Sequence, residues 1–393
     1  MPTNQKWKYS LFITGIIILA FNLRPAITSV GPIIGIIRDE LLLDNWNVGL
    51  ITSLPLLAFA FISPIAPRIA NKTGNEKALL YGLIILLSGI LIRSLATLLF
   101  LYIGTTLVGV GIAIINVILP SLIKGSFPTK IGLMTGLYTT SMSIFAAFGS
   151  GFSVPLTVDY GLGWNITLAS WGIITVIGII IWLVAMRNSP AEHEVKLFEP
   201  SGKRLLRSGI AWQVTFFMGL QSFLFYVTIS WLAEILTAKG YDVTTAGWFV
   251  AYMQLISLPA TFLTPIIAGK LKDQKVVVYV FGACAIIGYS GLHFNPSIAL
   301  ITLLITLIGF ALGASISLAL ALLGLRTENA RQAAELSGMA QSFGYLLASI
   351  GPIFIGFMFD LTGNWNSAIT FILLVSLIMV AFGVGASRNK YVL

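Results

Sequence analysis

The chain is short of almost everything a soluble protein uses to face water. Only 9% of its 393 residues are charged, whereas soluble domains carry about a quarter, so too few charges exist to cover a globule of this size. A single cysteine, Cys284, excludes an internal disulfide and gives no redox or metal-ligand signal. The two histidines, His193 and His293, fall between apolar runs and form no ligand pair or buried proton relay. No Asp or Glu stands at the middle of any apolar run. An intramembrane enzyme would need a carboxylate pair, a Ser–His pair or a metal cluster at that depth. No enzymatic activity, metal or cofactor is therefore expected.

What the chain has in plenty is apolar length. Hydrophobic residues make up 57% of it, arranged in twelve runs near 9–37, 48–70, 78–95, 98–123, 132–156, 165–186, 208–236, 245–268, 276–292, 297–324, 335–359 and 366–386. A hydrocarbon core of about 30 Å needs roughly 20 residues per helix, and none of these runs alternates as a barrel strand does. The expected fold is all-α, a polytopic membrane protein of twelve transmembrane helices. Lys6 and Lys8 precede the first run, which continues too far without a small-residue cleavage site to be a removed signal.

The net charge of +9 has a topological reading. With the N-terminus placed in the cytoplasm, 19 of the 23 Lys and Arg fall in cytoplasmic segments, three (Arg38, Arg93, Lys239) in outer loops, and Arg24 inside a span, while the 14 acids divide equally. Basic residues are retained in short cytoplasmic loops, so this bias orients the chain and gives no reason to expect nucleic acid as a partner. The expectation is a multi-pass protein of the cell inner membrane, with both termini cytoplasmic, acting as a monomer on a small-molecule substrate within the lipid bilayer.

The longest polar stretch, Arg187 to Ser208, holds Pro190 and Pro200 and divides the runs six and six. The expected organisation is an N-terminal six-helix bundle over 1–186, a cytoplasmic linker over 187–208 and a C-terminal bundle over 209–393. The halves repeat at an offset near 202: Gly136 and Gly149 in the fifth run match Gly338 and Gly351 in the eleventh, and 67–72 matches 269–274. Matching features in duplicated bundles point to a solute site between them at mid-membrane.

Strongly polar side chains well inside the runs are few: Asn22, Arg24, Asn116, Gln221, Gln254 and Gln341. None is read in runs 3, 6, 9 or 12, which suits a central polar cavity lined by the other eight. Each amide either faces a solute or bonds a neighbouring helix. Arg24 stands about 22 Å along the first helix at 1.5 Å per residue, near the bilayer centre, with no acid at similar depth. Pro25 opens the helix beside it by removing a donor. A planar cation without a counter-ion suits an anionic or strongly accepting solute; the alternative is that freed carbonyls satisfy it. Gln341 and Tyr345 share a face of the eleventh helix, and Gln221, Phe225 and Tyr226 lie along the seventh, followed by Glu234 near its outer end. Small-residue ridges such as Thr105, Gly109, Ala113 and Asn116, or Gly309, Gly313 and Ser317, read first as helix packing.

Four stretches, Asn-Leu-Arg-Pro-Ala-Ile-Thr-Ser-Val-Gly-Pro (22–32), Gly-Leu-Met-Thr-Gly-Leu-Tyr-Thr-Thr (132–140), Ala-Trp-Gln-Val-Thr-Phe-Phe-Met-Gly-Leu-Gln-Ser (211–222) and Leu-Ser-Gly-Met-Ala-Gln-Ser (336–342), resemble the cyanate and nitroimidazole transporter family of the major facilitator superfamily. The resemblance runs over nearly the whole chain. It implies a bacterial inner-membrane carrier working by alternating access on small planar solutes, with Asn22, Arg24, Tyr138, Gln221 and Gln341 in the motif positions. The superfamily's loop after the second helix stands here as Pro67-Arg68-Ile69-Ala70-Asn71-Lys72-Thr73-Gly74, with Asn71 in place of the acid, while Asp273 keeps the acid in the second copy. Thr105 replaces the arginine of proton-driven exporters, and the fifth helix lacks a clean Gly-Pro antiporter motif.

The expected function is secondary active transport of a small anionic or planar polar solute, cyanate-, nitrate- or nitroimidazole-like. The alternatives are a multidrug exporter and a channel-like facilitator. Expected substrate-binding residues are Asn22, Arg24, Asn116, Tyr138, Gln221, Tyr226, Gln254, Gln341 and Tyr345. Arg68, Lys72, Gly74, Lys270 and Asp273 form the expected cytoplasmic gate, and Glu234 is the one candidate for coupling.

Overall fold

The computed structural model describes residues 3–127, 131–187, 205–294, 297–327 and 330–392. Residues 188–204 of the expected linker, with His193, and residues 1–2, 128–130, 295–296, 328–329 and 393 lie outside them. Among the described residues, eleven helical segments are long and apolar enough to cross a membrane: Ser10–Leu41, Asn45–Ile62, Asn75–Arg93, Leu98–Leu119, Leu137–Asp159, Gly163–Met186, Gly209–Thr237, Val243–Lys270, Ile298–Leu325, Leu336–Thr362 and Trp365–Ala386. A shorter apolar helix, Lys275–Gly291, precedes Ile298–Leu325. In chain order these are spans 1 to 12, Lys275–Gly291 being span 9. The described residues contain no strand.

Helix starts follow capping chemistry. Ser208, Asp242 and Ser297 each accept a hydrogen bond from the amide three residues on, so spans 7, 8 and 10 begin on side-chain caps. The second apolar run departs from its expected extent. Its helix ends at Ile62, where Pro64 has no amide to give the Ala60 carbonyl, and a separate helix follows at Ala66–Thr73. Gly74 then turns the chain into span 3 at φ +86°, a conformation that only glycine adopts without strain.

Within the first half, span 3 packs on span 4, span 2 on span 4, span 5 on span 1, and span 6 on spans 1 and 3. Six spans later each contact recurs: 9 on 10, 8 on 10, 11 on 7, and 12 on 7 and 9. Spans 3, 6, 9 and 12 are outermost, turning exposed residues such as Leu91, Ile180, Val280 and Leu377 outward. The expected architecture of two six-helix bundles holds. The repeat extends to side chains: a Cβ on Gly149 would lie 2.9 Å from Pro25 Cα, and one on Gly351 2.8 Å from Val227 Cγ2, so both partners and both glycines sit at equivalent positions. The small-residue ridges are packing ridges. A Cβ on Gly109 would meet Pro55 Cα at 2.5 Å, and one on Gly313 the Ser257 carbonyl at 2.4 Å.

The halves meet through span 2 against span 11, span 5 against span 8, and span 1 against spans 7 and 8. The end of the bundle at which Arg187 and Leu205 lie is termed the linker face below, and the other end the far face.

Candidate functional site

Span 1 is interrupted where the candidate site lies. The helix Thr3–Phe21 stops, a turn covers 22–24, a four-residue helix follows at Pro25–Thr28, then a short 3-10 turn at Gly31–Ile33, and Ile34–Leu41 completes the crossing. Two prolines explain this. Pro25 has no amide to give the preceding turn, and Pro32 has none to give Thr28. Carbonyls of the interrupted stretch are claimed from other spans: Ser150 Oγ donates to the Thr28 carbonyl (3.1 Å) and Arg93 Nη1 to the Ala26 carbonyl (2.6 Å). Thr28 Oγ1 in turn donates to the Ala146 carbonyl (2.9 Å).

Arg24 leads into this short helix and reaches across to the second half. Its Nη1 donates to Tyr226 Oη at 3.2 Å, and its guanidinium carbon lies 5.2 Å from the Phe225 ring centre and 5.9 Å from that of Tyr226. Among the described residues no Asp or Glu pairs with it. Tyr345 and Tyr138 pack with Phe225 and Tyr226 in one apolar cluster, and the Tyr345 ring meets Phe59 edge-on at 5.3 Å. Five spans thus supply one half-buried cation and a wall of aromatic rings with three phenols. Such a group can hold a flat, electron-rich solute: the guanidinium supplies paired donors and charge, the phenols supply rotatable donors, and the rings supply faces.

On the far side of this cluster the halves are joined. Arg38 Nη1 pairs with Glu234 Oε2 at 2.8 Å and bonds Asn45 Oδ1 at 3.0 Å. Asp360 of span 11 accepts from Asn45 N (3.1 Å), Asn45 Nδ2 (2.6 Å) and Trp46 N (2.8 Å). It caps the start of span 2, where Asp44 makes no side-chain cap. The backbones approach closely here too: a Cβ on Gly31 would stand 2.0 Å from the Ile229 carbonyl oxygen, and one on Gly49 2.4 Å from that of Pro352.

Of the expected binding residues, Arg24, Tyr138, Tyr226 and Tyr345 come together. Gln341 is one turn from Tyr345 toward the linker face and donates to Ser337 Oγ at 2.9 Å. The other four stand apart. Asn22 donates to Ile18 of its own helix (2.8 Å) and packs against Gly178 of span 6, so it faces a peripheral span. Gln221 is fully buried and bonded within span 7 to Met218 and Ser222. Gln254 donates to Ser150 Oγ (2.7 Å) and the Ala146 carbonyl (3.3 Å), tying span 8 to span 5. Asn116 is half-buried in span 4, beyond the ridge that packs on span 2. Asn22 and Gln221 satisfy their NH2 groups within their own helices and Gln254 does so across to span 5, because an unpaired amide is costly away from water.

Glu234 is held by Arg38 and lies against Gly35 at the far-face junction, away from the aromatic cluster. Arg93, expected in an outer loop, is fully buried in span 3, which corrects the reading that this span carries no strongly polar side chain. At the linker face Arg68, Lys72 and Lys270 are exposed, and Asp273 pairs with Lys275 of its own loop at 3.7 Å. Among the described residues no ion pair joins these gate candidates across the halves. Sequence reading named Phe225 only as a helix-face neighbour and missed Phe59, Arg93 and the Arg38–Asn45–Asp360 junction. The one available signal was Arg93 lying inside an apolar run.

The profile of the Major Facilitator Superfamily matches residues 11–349. The chain is 49% identical over 391 residues to the uncharacterized transporter YycB of Bacillus subtilis, covering 100% of this chain and 97% of that one. It is 39% identical over 381 residues to the 2-nitroimidazole transporter of Escherichia coli, covering 97% and 96%. A solved structure of a bacterial homolog of the human lysosomal transporter Spinster, inward-facing and occupied, superposes with a TM-score of 0.75 at 17% identity, covering 99% of this chain and 98% of that one.

Proposed function

The chain belongs to the Major Facilitator Superfamily and is a multi-pass membrane transporter, and from that premise we propose that it carries a small anionic or planar polar solute, cyanate-, nitrate- or nitroimidazole-like, by alternating access. One observation carries this reading: Arg24, at the break of span 1, faces aromatic rings of the other half, and among the described residues no carboxylate pairs with it. A half-buried cation without a counter-ion loses part of its hydration, and a solute that brings negative charge or strong acceptors offsets that cost. The relative named for 2-nitroimidazole, a flat polar ring, supports the same solute shape.

In this reading the far face is the outside, because the basic residues gather on the other. The junction of Arg38, Asn45, Glu234 and Asp360 is then the closed outer gate, and the separated Arg68, Lys72, Gly74, Lys270 and Asp273 belong to an open cytoplasmic gate. The halves 1–186 and 209–393 rock about the Arg24 cluster, joined by 187–208. The test is counterflow in proteoliposomes with radiolabelled cyanate and 2-nitroimidazole. Wild type should exchange at least one of them faster when unlabelled solute is inside, and Arg24→Ala should lose exchange while remaining folded. Exchange at wild-type rate by Arg24→Ala sinks the reading.

A further inference from the structure

Arg93 has the burial of a core residue and the chemistry of a surface one. It is fully buried at the end of span 3, packed so closely on span 4 that a Cβ on Gly104 would come within 2.3 Å of its backbone nitrogen. A guanidinium has five N–H donors and keeps its charge, so enclosing it among apolar helices is costly without compensation. No Asp or Glu among the described residues pairs with it. Its Nη1 donates to the Ala26 carbonyl at 2.6 Å, while Nε and Nη2 are buried without a partner.

The carbonyl it takes is an unusual one. In a regular helix Ala26 would accept from the amide of Val30, but Val30 donates to Ile27 instead. The break in span 1 therefore leaves the Ala26 carbonyl unclaimed inside the bundle. Ala26 also sits in the short helix that Arg24 opens: the amides of Ile27 and Thr28 donate to the Arg24 carbonyl at 2.9 and 3.0 Å. So short a helix has little stability of its own. It is pinned on one side by Thr28 with Ala146 and Ser150, and on another by Arg93.

We propose that Arg93 is a positioning residue for solute recognition: by anchoring the Ala26 carbonyl it fixes the short helix that presents Arg24 to the site between the halves. The proposal rests on the reading of Arg24 as the solute-binding cation. Span 3 is peripheral and meets no residue of the second half through this contact, so Arg93 acts through Arg24 rather than on the solute.

Two readouts on the purified full-length protein test it. The first, amide hydrogen exchange across 22–33, needs no solute: Arg93→Met should speed exchange there by tenfold or more with spans 7 to 12 unchanged, and Arg93→Lys, whose ammonium can still reach the carbonyl, should restore most of the protection. The second is binding of 2-nitroimidazole and cyanate. Arg93→Met should weaken it about tenfold in the wild-type background and less than twofold in Arg24→Lys. Exchange unchanged in 22–33, exchange accelerated evenly over the whole first half, or binding losses that multiply with those of Arg24→Lys would each overturn the proposal. If Arg93→Met does not fold, Arg93→Gln takes its place in both measurements. Failure of both solutes to bind wild type strikes the solute reading and the link to recognition, while the exchange result separately decides the anchor.

Discussion

Arg24 donates a hydrogen bond to Tyr226 across a sequence separation of 202 residues, the interval at which the two halves of the chain repeat. The two side chains occupy equivalent positions and face each other across the pseudo-twofold axis, one a cation and the other a phenol. A duplicated bundle has thus been made asymmetric at its centre, with the positive charge on the first half alone. On the proposed reading a solute entering between the halves would compete for this hydrogen bond, which would link occupancy to the relative position of the halves at one contact.

The phenol accepts from Arg24 and keeps its own proton to give. Tyr226→Phe removes that donor and leaves the ring, and a neutral hydrogen bond contributes about 0.5–1.5 kcal/mol. Solute affinity should therefore fall about threefold to tenfold, measured by equilibrium binding. Unchanged affinity would place the solute away from Tyr226.

Arg24→Lys keeps the charge and loses the planar fork and its stacking on Phe225. Hydrogen bonds to charged groups contribute about 1.5–3 kcal/mol, so a loss of about tenfold to a hundredfold in affinity is expected even though the net charge is unchanged. Near-normal binding by the lysine variant would show that charge alone suffices.

Closure of the far face depends on bare backbone at Gly31. A methyl group there would stand 2.0 Å from the Ile229 carbonyl oxygen, and a backbone atom cannot swing aside as a side chain does. Gly31→Ala should force spans 1 and 7 apart, so that a cysteine at position 230 becomes reactive toward a membrane-impermeant maleimide added from outside. Continued protection of that cysteine would mean that the junction opens elsewhere.

Two acids hold the far-face junction, and they should differ in weight. Glu234 forms a partly exposed ion pair with Arg38, worth about 0–1 kcal/mol. Asp360 accepts three hydrogen bonds at the start of span 2, where a cap contributes about 0.5–2 kcal/mol and the helix dipole adds to it. Asp360→Ala should raise outside labelling at position 230 more than Glu234→Gln does. Glu234→Gln should also leave any dependence of uptake on an imposed pH gradient intact, because Glu234 is committed to Arg38. Loss of such dependence would return Glu234 to the coupling mechanism.

Orientation is tested by a cysteine replacing Phe198 in the linker. With the basic face in the cytoplasm, it should resist impermeant thiol reagents in intact cells and react in inverted vesicles. Labelling of intact cells would reverse the assignment of inside and outside.

The crossings, the six-and-six division and the break beside Pro25 are legible in the sequence, because hydrophobic length, proline geometry and repeat spacing act locally along the chain. The mid-depth position of Arg24 is legible for the same reason. What its side chain meets is not: Phe225 and Tyr226 come from a helix about 200 residues away, and only packing brings them to it. Asn22, Gln221 and Gln254 looked like Arg24 in sequence, as polar residues inside apolar runs. The fold turned each toward a neighbouring carbonyl or hydroxyl, since a helix has several faces and composition does not say which one a residue takes. Arg93 shows the converse. At the edge of an apolar run it reads as a loop residue, yet the carbonyl it satisfies is open only because another span breaks there and the Val30 amide turns to Ile27, and only the tertiary structure carries the guanidinium to it.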